Sequence, residues 1–342
     1  MSETTLSGLP VIGITMGDPA GIGPEVTLKA LINENPDRVY RPVVIGDTRF
    51  LHECARSLGL DVEFRPFDPE FEPLAGVIDV YDLANVDESV TPGAESEASG
   101  RAAAQYIEAS VALWQDRQID AVATAPISKH AIALAGYNYP GHTEFYADLT
   151  HTRDFAMSFF AEKLRVVLLS THVSLLDAIK LITTDSLVKL IQFTDRTLSE
   201  LLKRRVKIAV AGLNPHASEG GKFGTEESQL ILPAIEQSRG SGIDVSGPFS
   251  PDTIFLRGFN GDFDAVIALY HDQATIAVKS LSFGSSVNVT LGLPIIRTSV
   301  DHGTAFDIAG KGIAEASSMT SAIRLAAALV RIRSASSTDS HR

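Results

Sequence analysis

The stretch VIGITMGDPAGIGPEVTLKALI, Val11–Ile32, decides the fold class. Its first six residues are mainly apolar, which is typical of a buried strand. A segment rich in Gly and Pro follows, and the apolar spacing after it predicts a helix. The same order recurs further along, in RPVVIGD before TRFLHECARSLG and in GVIDVYDL before the helical stretch SEASGRAAAQYIEASVALWQD. Strands that alternate with helices predict an α/β fold with a largely parallel sheet.

The middle of the chain follows a different pattern. FAMSFF and LRVVLLSTHV are separated by AEK, which predicts an antiparallel hairpin. Further strands are predicted at KIAVAGLN and FDAVIALY, and two more on either side of Gly292. We expect a boundary near TAPISKHA, with residues 1–128 and 304–335 in a first α/β lobe, residues 129–303 in a second, and a frayed tail at 336–342.

Composition excludes several classes of protein. A chain of 342 residues with 44% apolar residues can bury the cores of two lobes. A formal charge of -13 argues against nucleic-acid binding, which needs clustered Lys and Arg. Cys54 is the single cysteine, so there is no intramolecular disulfide and no cysteine-based zinc motif. The N-terminus lacks the pattern of a signal peptide, and no apolar run reaches ~18 residues, so we expect a cytoplasmic protein with no membrane partner.

Each of three apolar strands has one histidine at, or just past, its carboxyl end. These are LRVVLLSTH with His172, KIAVAGLNPH with His216 and FDAVIALYH with His271. Ligands of open α/β sheets bind at this edge, and three convergent imidazoles would hold a divalent ion. The alternative is that each histidine is a loop residue satisfied by nearby backbone, and the long spacing leaves both interpretations open.

Further polar residues suggest an anion site. His142 and Thr143 follow a Pro-Gly turn, where Thr143 is the expected N-cap of a helix. Asn288 and Arg297 interrupt apolar strands, where unpaired polar groups are costly. Together with Lys279 they could bind a phosphate, and the alternative is that they lie on exposed strand faces. The Gly-rich segments match neither a P-loop nor G-x-G-x-x-G.

Six motifs, spread from residue 17 to residue 312, closely resemble the PdxA family, the 4-hydroxythreonine-4-phosphate dehydrogenases of pyridoxal 5'-phosphate (vitamin B6) synthesis. They are GDPAGIGPE, PGHTEF, GLNPHASEGGKFGTEE, SPDTIF, YHDQATIAVK and SVNVTLGLPIIRTSVDHGTAFDIAGKG. The first motif and DHGTAFDIAGKG are also similar to loops of the β-decarboxylating dehydrogenases. The resemblance therefore implies the two-lobed isocitrate/isopropylmalate dehydrogenase fold with an interlobe cleft.

The resemblance also implies a set of site residues and partners. Metal ligands are implied at His172, His216 and His271, and substrate contacts at His142, Thr143, Lys279, Asn288 and Arg297. NAD or NADP is implied at a loop containing His302, Gly303, Thr304, Asp307 and Gly310. One divalent ion (zinc, cobalt, manganese or magnesium) is expected at the interface of a homodimer. Asp272 and Asp252 are candidates for proton transfer.

The implied reaction is the oxidation of 4-phosphohydroxy-L-threonine to a β-keto acid, which decarboxylates to 3-amino-2-oxopropyl phosphate. Ala274 and Ser218 depart from the residues frequent in the family, which leaves the substrate open. A first alternative is a dehydrogenase of a related phosphorylated threonate or erythronate. A second, from another class, is a three-histidine metallohydrolase that needs no NAD.

Overall fold

The structure, a computed structural model, describes residues 8–33, 39–74, 76–282 and 284–335. The chain divides into two compact units. Unit 1 comprises Met1–Arg153 and Leu293–Arg331, and unit 2 comprises Asp154–Gly292 and Ile332–Arg342. Both units alternate strands with helices, so the predicted α/β class is confirmed. The first seven residues and the expected frayed tail at 336–342 lie outside the described residues.

Unit 1 contains a parallel sheet in the order β3-β4-β2-β1-β5-β12. Its strands are β1 (Val11–Thr15), β2 (Arg41–Gly46), β3 (Glu63–Pro66), β4 (Val77–Asp82), β5 (Ala121–Thr124) and β12 (Ile296–Ser299). Its helices are α1 (Gly23–Ile32), α2 (Thr48–Ser57), α3 (Glu97–Gln115), α4 (Lys129–Leu134), α5 (His142–Leu149) and α11 (Ser317–Ala335), whose last residues pass beyond the unit. The predicted opening strand and helix are therefore β1 and α1.

Unit 2 contains a mixed sheet in the order β11-β6-β7-β10-β8-β9. Its strands are β6 (Ala156–Ala161), β7 (Leu164–Leu168), β8 (Ile208–Ala211), β9 (Val245–Phe249), β10 (Ala265–Ala268) and β11 (Val287–Leu291). Its helices are α6 (Leu175–Leu181), α7 (Thr184–Leu202), α8 (Leu232–Gly240), α9 (Ile254–Asn260) and α10 (His271–Leu281). The β6–β7 pair is antiparallel, so the predicted hairpin is confirmed.

The division into units differs from the boundary expected near residue 128. Helices α4 and α5 pack on α3, where Ile132, Phe145 and Tyr146 share one core cluster with Ile107 and its neighbours. Gly100 of α3 allows this approach, because a Cβ there would lie 2.0 Å from the Ala131 carbonyl oxygen. Residues 129–153 therefore belong to unit 1.

The core of unit 2 holds the strands that carry the candidate histidines. Val166 of β7, Ala209 of β8 and Val266 of β10 are fully buried in one cluster with Phe255 and Phe263. Packing at this density fixes the strand ends relative to one another. In the described part of the chain, every helix is too short or too polar to cross a bilayer.

Candidate active site

The three candidate metal ligands follow three neighbouring strands of unit 2. Strand β10 pairs in parallel with β7 on one side and with β8 on the other. His172 follows β7, His271 follows β10 and His216 follows β8. The carboxyl ends of parallel strands meet at one edge of a sheet, so all three histidines emerge at the same edge.

His172 and His271 lie side by side at this edge. Their ring centroids are 5.8 Å apart. His271 is the first residue of α10, and its Nδ1 lies 2.7 Å from Asp272 Oδ1. A carboxylate at Nδ1 fixes the imidazole tautomer and leaves Nε2 as the nitrogen that can bind a ligand.

His216 lies in a backbone turn of unusual conformation. His216, Ala217, Ser218 and Glu219 all have positive φ angles, between 44° and 64°. Non-glycine residues in this region cost free energy, and such residues gather at functional sites when the surrounding structure holds them. Glu227 helps to hold this turn, because its buried Oε1 accepts hydrogen bonds from the backbone N–H groups of Leu213 and Asn214 at 2.8 and 2.7 Å.

Asp252 is the charged neighbour of His216. Ser250 donates a hydrogen bond to it at 2.5 Å and lowers the pKa of this carboxyl, and the nearby His216 acts in the same direction. Asp252 is therefore ionised at neutral pH. Within the described residues, no three His, Cys, Asp or Glu side chains are close enough to bind one ion. Of the three candidate metal ligands, His172 and His271 are the pair whose rings are in contact.

Arg297 is the central residue of the candidate anion site in unit 1. It lies in β12 with 3% of its surface exposed. Its guanidinium donates to Thr124 Oγ1 at 2.9 Å and to Thr143 Oγ1 at 3.5 Å. Burial lowers the pKa of Arg297 to about 10, so the group remains charged at neutral pH. A buried cation surrounded by hydroxyl groups is suited to an anion that can neutralise it.

His142 stands beside this cation at the start of α5. Burial, and then the charges of Arg297 and Lys129, lower the pKa of His142 well below its usual value, so its ring is neutral. Its Nε2 is buried without a hydrogen-bond partner among the described residues. Thr143 is not the N-cap, contrary to the sequence prediction. The helix begins at His142 after Gly141, because Gly141 adopts an extended conformation that ends the preceding turn.

Lys279 and Asn288 belong to unit 2. Lys279 is exposed and sits on α10 roughly 12 Å along the helix axis from His271. Asn288 lies in β11 opposite Phe159, and its Oδ1 is buried without a hydrogen-bond partner within the described ranges. The five predicted substrate contacts therefore fall into two groups, with His142, Thr143 and Arg297 in unit 1 and these two in unit 2.

The predicted cofactor loop connects β12 to α11 in unit 1. It packs against the GDPAGIGPE loop, since the Ile22 N–H donates to the Thr304 carbonyl at 2.9 Å. A Cβ on Gly21 would lie 2.9 Å from the same carbonyl oxygen, so only glycine permits this approach. Lys29 donates to the carbonyl groups of Gly312 and Ala314, both at 2.9 Å. The two segments that resemble dehydrogenase loops thus form one packed structure.

A cavity of about 230 Å³ lies next to this pair of loops. Helix α1, helix α2, Val90 and Pro92 form its walls, and Gly310 closes one side. Gly310 has a φ of 74° and packs against Pro92, which places it at the wall. Of the five predicted cofactor residues, Gly310 alone appears among those that line this cavity.

Sequence reasoning missed several polar residues near these groups. Gln273 and Ser170 bond to backbone atoms at the ends of the histidine-bearing strands. Asp18, after β1, is fully buried, and burial raises its pKa to about 6. Asp18, Glu227 and Gln273 lie inside the quoted motifs. Ser170 carries no spacing signal, because its contact with the Leu269 carbonyl joins distant segments.

Comparisons with known proteins show the family of the chain. Residues 38–326 match the family model described as pyridoxal phosphate biosynthetic protein PdxA. The chain is 47% identical to the D-threonate 4-phosphate dehydrogenase of Cupriavidus necator, over 95% of this chain and 98% of that protein. It is 45% identical to the 4-hydroxythreonine-4-phosphate dehydrogenase of Desulforapulum autotrophicum, over 93% of this chain and 95% of that protein.

A solved structure is similar over the same length. The 4-hydroxythreonine-4-phosphate dehydrogenase of Klebsiella pneumoniae superposes with a TM-score of 0.87 and 41% identity, covering 94% of this chain and 99% of that one. Such coverage leaves no large part of the chain outside the match. The chain therefore belongs to the PdxA family of pyridoxal phosphate biosynthetic proteins, and it is an oxidoreductase.

Proposed function

We propose that the protein oxidises 4-phosphohydroxy-L-threonine with NAD or NADP, and that the resulting β-keto acid decarboxylates to 3-amino-2-oxopropyl phosphate in pyridoxal 5'-phosphate synthesis. The observation that carries the proposal is the buried Arg297, with Thr124, Thr143 and a neutral His142 around it. The dehydrogenase relatives of the chain imply a nicotinamide cofactor. The nicotinamide supplies the hydride acceptor of the oxidation.

The anion site supports a phosphorylated substrate. With a net charge of -13, the chain repels a phosphate at long range, so binding depends on local contacts. Arg297 supplies a planar donor group that matches phosphate oxygens, and each charge-assisted hydrogen bond contributes roughly 1.5–3 kcal/mol. His142, held neutral by its surroundings, can donate a hydrogen bond without adding a charge. Lys279 and Asn288 are the remaining proposed substrate contacts.

His172, His216 and His271 are the proposed metal ligands. Two imidazoles bound to one tetrahedral ion have ring centres roughly 5–6 Å apart, because each metal–nitrogen distance is ~2.1 Å. The 5.8 Å separation of His172 and His271 fits this requirement. When bound, the ion would supply a Lewis acid for the substrate hydroxyl. Imidazole ligands favour zinc or cobalt over magnesium.

A second copy of the chain completes the metal site in this proposal. A two-fold dimer can bring one copy's His216 to the other copy's His172–His271 pair. Helix α6 follows His172 directly and exposes several apolar side chains, among them Leu175 at 58% and Leu176 at 65%. An apolar patch of this kind marks a protein interface, so α6 is the proposed contact between copies.

The two aspartates take different roles. Asp272 bonds to His271 and orients it, so it is the positioning group. Asp252 is ionised and close to His216, so it is the proposed acceptor of the proton of the substrate hydroxyl. Its lowered pKa makes it a weak base, so this transfer would depend on a bound ion that lowers the pKa of the hydroxyl. Loss of that proton and of the C3 hydride leaves a ketone β to the carboxylate, which then loses carbon dioxide.

D-threonate 4-phosphate is the second candidate substrate, because the relative from Cupriavidus necator carries that name at a similar identity. It differs from 4-phosphohydroxy-L-threonine in having a hydroxyl instead of an amino group at C2. A panel of both compounds and a phosphorylated erythronate, each with NAD and with NADP, tests the proposal by absorbance of the reduced cofactor. The highest kcat/KM should belong to 4-phosphohydroxy-L-threonine, and preference for D-threonate 4-phosphate would transfer the assignment to the second candidate.

A further inference from the structure

Just past the ends of β7, β10 and β8, the buried side chains of Gln273 and Ser170 link the three chain segments by hydrogen bonds. Gln273 Oε1 accepts from the Leu269 N–H at 2.7 Å, and Gln273 Nε2 donates to the Gly212 carbonyl at 2.8 Å. Ser170 Oγ donates to the Leu269 carbonyl at 3.0 Å. Gln273 is 9% exposed and Ser170 is 5% exposed. Leu269 is thus bonded on both sides, toward β8 through Gln273 and toward β7 through Ser170.

Each bonded position lies just before a candidate metal ligand. Ser170 precedes His172, Leu269 precedes His271, and Gly212 precedes the turn that contains His216. Gly212 also lies directly beneath that turn, because a Cβ there would be 3.1 Å from the Cα and Cβ atoms of Ala217. These bonds therefore act where the chain leaves the sheet and turns toward each histidine.

We propose that Gln273 and Ser170 are positioning residues that set the separation of the His216 turn from the His172–His271 pair. The inference rests on the proposed metal site. If the site is shared between two copies, each chain contributes its turn and its pair, so their separation within one chain determines the geometry of both sites. Without Gln273, a buried N–H and a buried carbonyl lose their partners, and the strand ends can shift to find water.

The effect on metal binding should exceed the effect on folding. Groups that orient metal ligands typically change metal affinity by 10- to 100-fold when they are replaced. Gln273→Met keeps the volume of the side chain and removes both hydrogen bonds. We expect the Co²⁺ association constant to fall by about 10- to 100-fold. Ser170→Ala removes a single hydrogen bond and should lower the Co²⁺ association constant by a smaller factor. It provides the test of the inference if Gln273→Met does not fold.

Ser158→Ala is the matched control. Ser158 is fully buried in β6, and its hydroxyl donates to the Val289 carbonyl at 2.7 Å, which is the same type of bond between strands. Strand β6 lies between β7 and β11. The bond from Ser158 joins β6 to β11, so it does not hold β7, the neighbouring strand that precedes His172. Ser158→Ala should lower the thermal midpoint of the metal-free protein about as much as Ser170→Ala and leave Co²⁺ affinity unchanged.

The experiment titrates the full-length protein and its variants with Co²⁺, follows the d–d absorption of the bound ion, and records metal-free thermal midpoints. Weakened binding and an altered spectrum in Gln273→Met and Ser170→Ala, but not in Ser158→Ala, support the inference. Equal Co²⁺ affinity in all four proteins would overturn it while leaving the metal site intact. A wild-type protein that does not bind Co²⁺ would overturn the proposed metal site itself, and the inference with it.

Discussion

Replacing Arg297 with Met should separate stability from catalysis. Burial lowers the pKa of this guanidinium from 12.5 to about 10, which corresponds to roughly 3 kcal/mol against the charged form. Arg297 is charged at pH 7 and up to its folded-state pKa, so the folded protein carries this cost over the whole neutral range. A methionine of similar length removes the charge but also the bonds to Thr124 and Thr143. The thermal midpoint should therefore hold or rise.

Activity should respond in the opposite direction. Loss of a charge-assisted hydrogen bond of roughly 1.5–3 kcal/mol lowers kcat/KM for the phosphorylated substrate by about 10- to 150-fold. Arg297→Lys should recover part of this loss, because a lysine restores the charge but not the planar pair of donors. NAD affinity should stay nearly unchanged, since the predicted cofactor residues His302 to Gly310 occupy a different loop.

Steady-state kinetics, thermal unfolding and NAD binding by fluorescence test these expectations together. Arg165→Met is the matched control, because burial also lowers the pKa of Arg165. Its guanidinium donates to the backbone carbonyl groups of Lys163 and Asp264, which lie before β7 and β10, at the strand ends opposite the histidines. It should leave kcat/KM unchanged. An intact kcat/KM in Arg297→Met would refute the assignment of Arg297 to a phosphate. A fall of its midpoint by many degrees would refute the net cost ascribed to burying the charge.

Three further changes have expected outcomes. Burial raises the pKa of Asp18 to about 6. Its carboxyl therefore favours folding at a pH below its unfolded pKa of ~4, and this contribution is lost as the pH rises through about 6. Asp18→Asn should therefore increase the free energy of unfolding by up to about 3 kcal/mol at pH 8 and by little at pH 4, by urea denaturation; a gain independent of pH would contradict this. Asp79→Ala leaves Arg41 and Arg65 without their buried carboxylate and should lower the free energy of unfolding by about 3–5 kcal/mol. The control Glu53→Ala breaks an exposed pair with Arg49 and should lower it by less than about 1 kcal/mol. Leu176→Asp should dissociate the proposed dimer and abolish Co²⁺ binding together, by sedimentation and absorbance; a variant that stays dimeric would exclude α6 from the interface.

The sequence predicted the elements whose pattern is local. Apolar runs such as those of β7, β8 and β10 stand out because both faces of a central parallel strand are buried. The parallel order of these three strands, however, depends on long-range pairing that no local pattern reveals. The histidines could be placed at strand ends, but not assigned to adjacent strands.

Helix starts without a capping side chain were harder to predict. Helix α10 begins at His271 after Tyr270, whose side chain makes no capping hydrogen bond within the described chain, so the usual signal is missing. Helix α5 begins after Gly141 for a similar reason, and Thr143 was wrongly taken as its cap. At both places the first helical residue is a candidate site histidine. Sequences depart from local preferences such as helix capping most often at functional sites.

The stoichiometry of the products tests the central claim most directly. Wild-type protein is incubated with NAD, Co²⁺ or Zn²⁺, and 4-phosphohydroxy-L-threonine labelled in its carboxyl group, and the reduced cofactor, labelled carbon dioxide and inorganic phosphate are measured in one sample. Oxidation followed by decarboxylation predicts one NADH and one carbon dioxide per substrate consumed, with the phosphate ester intact. Release of inorganic phosphate without NADH would contradict the account and support the metallohydrolase.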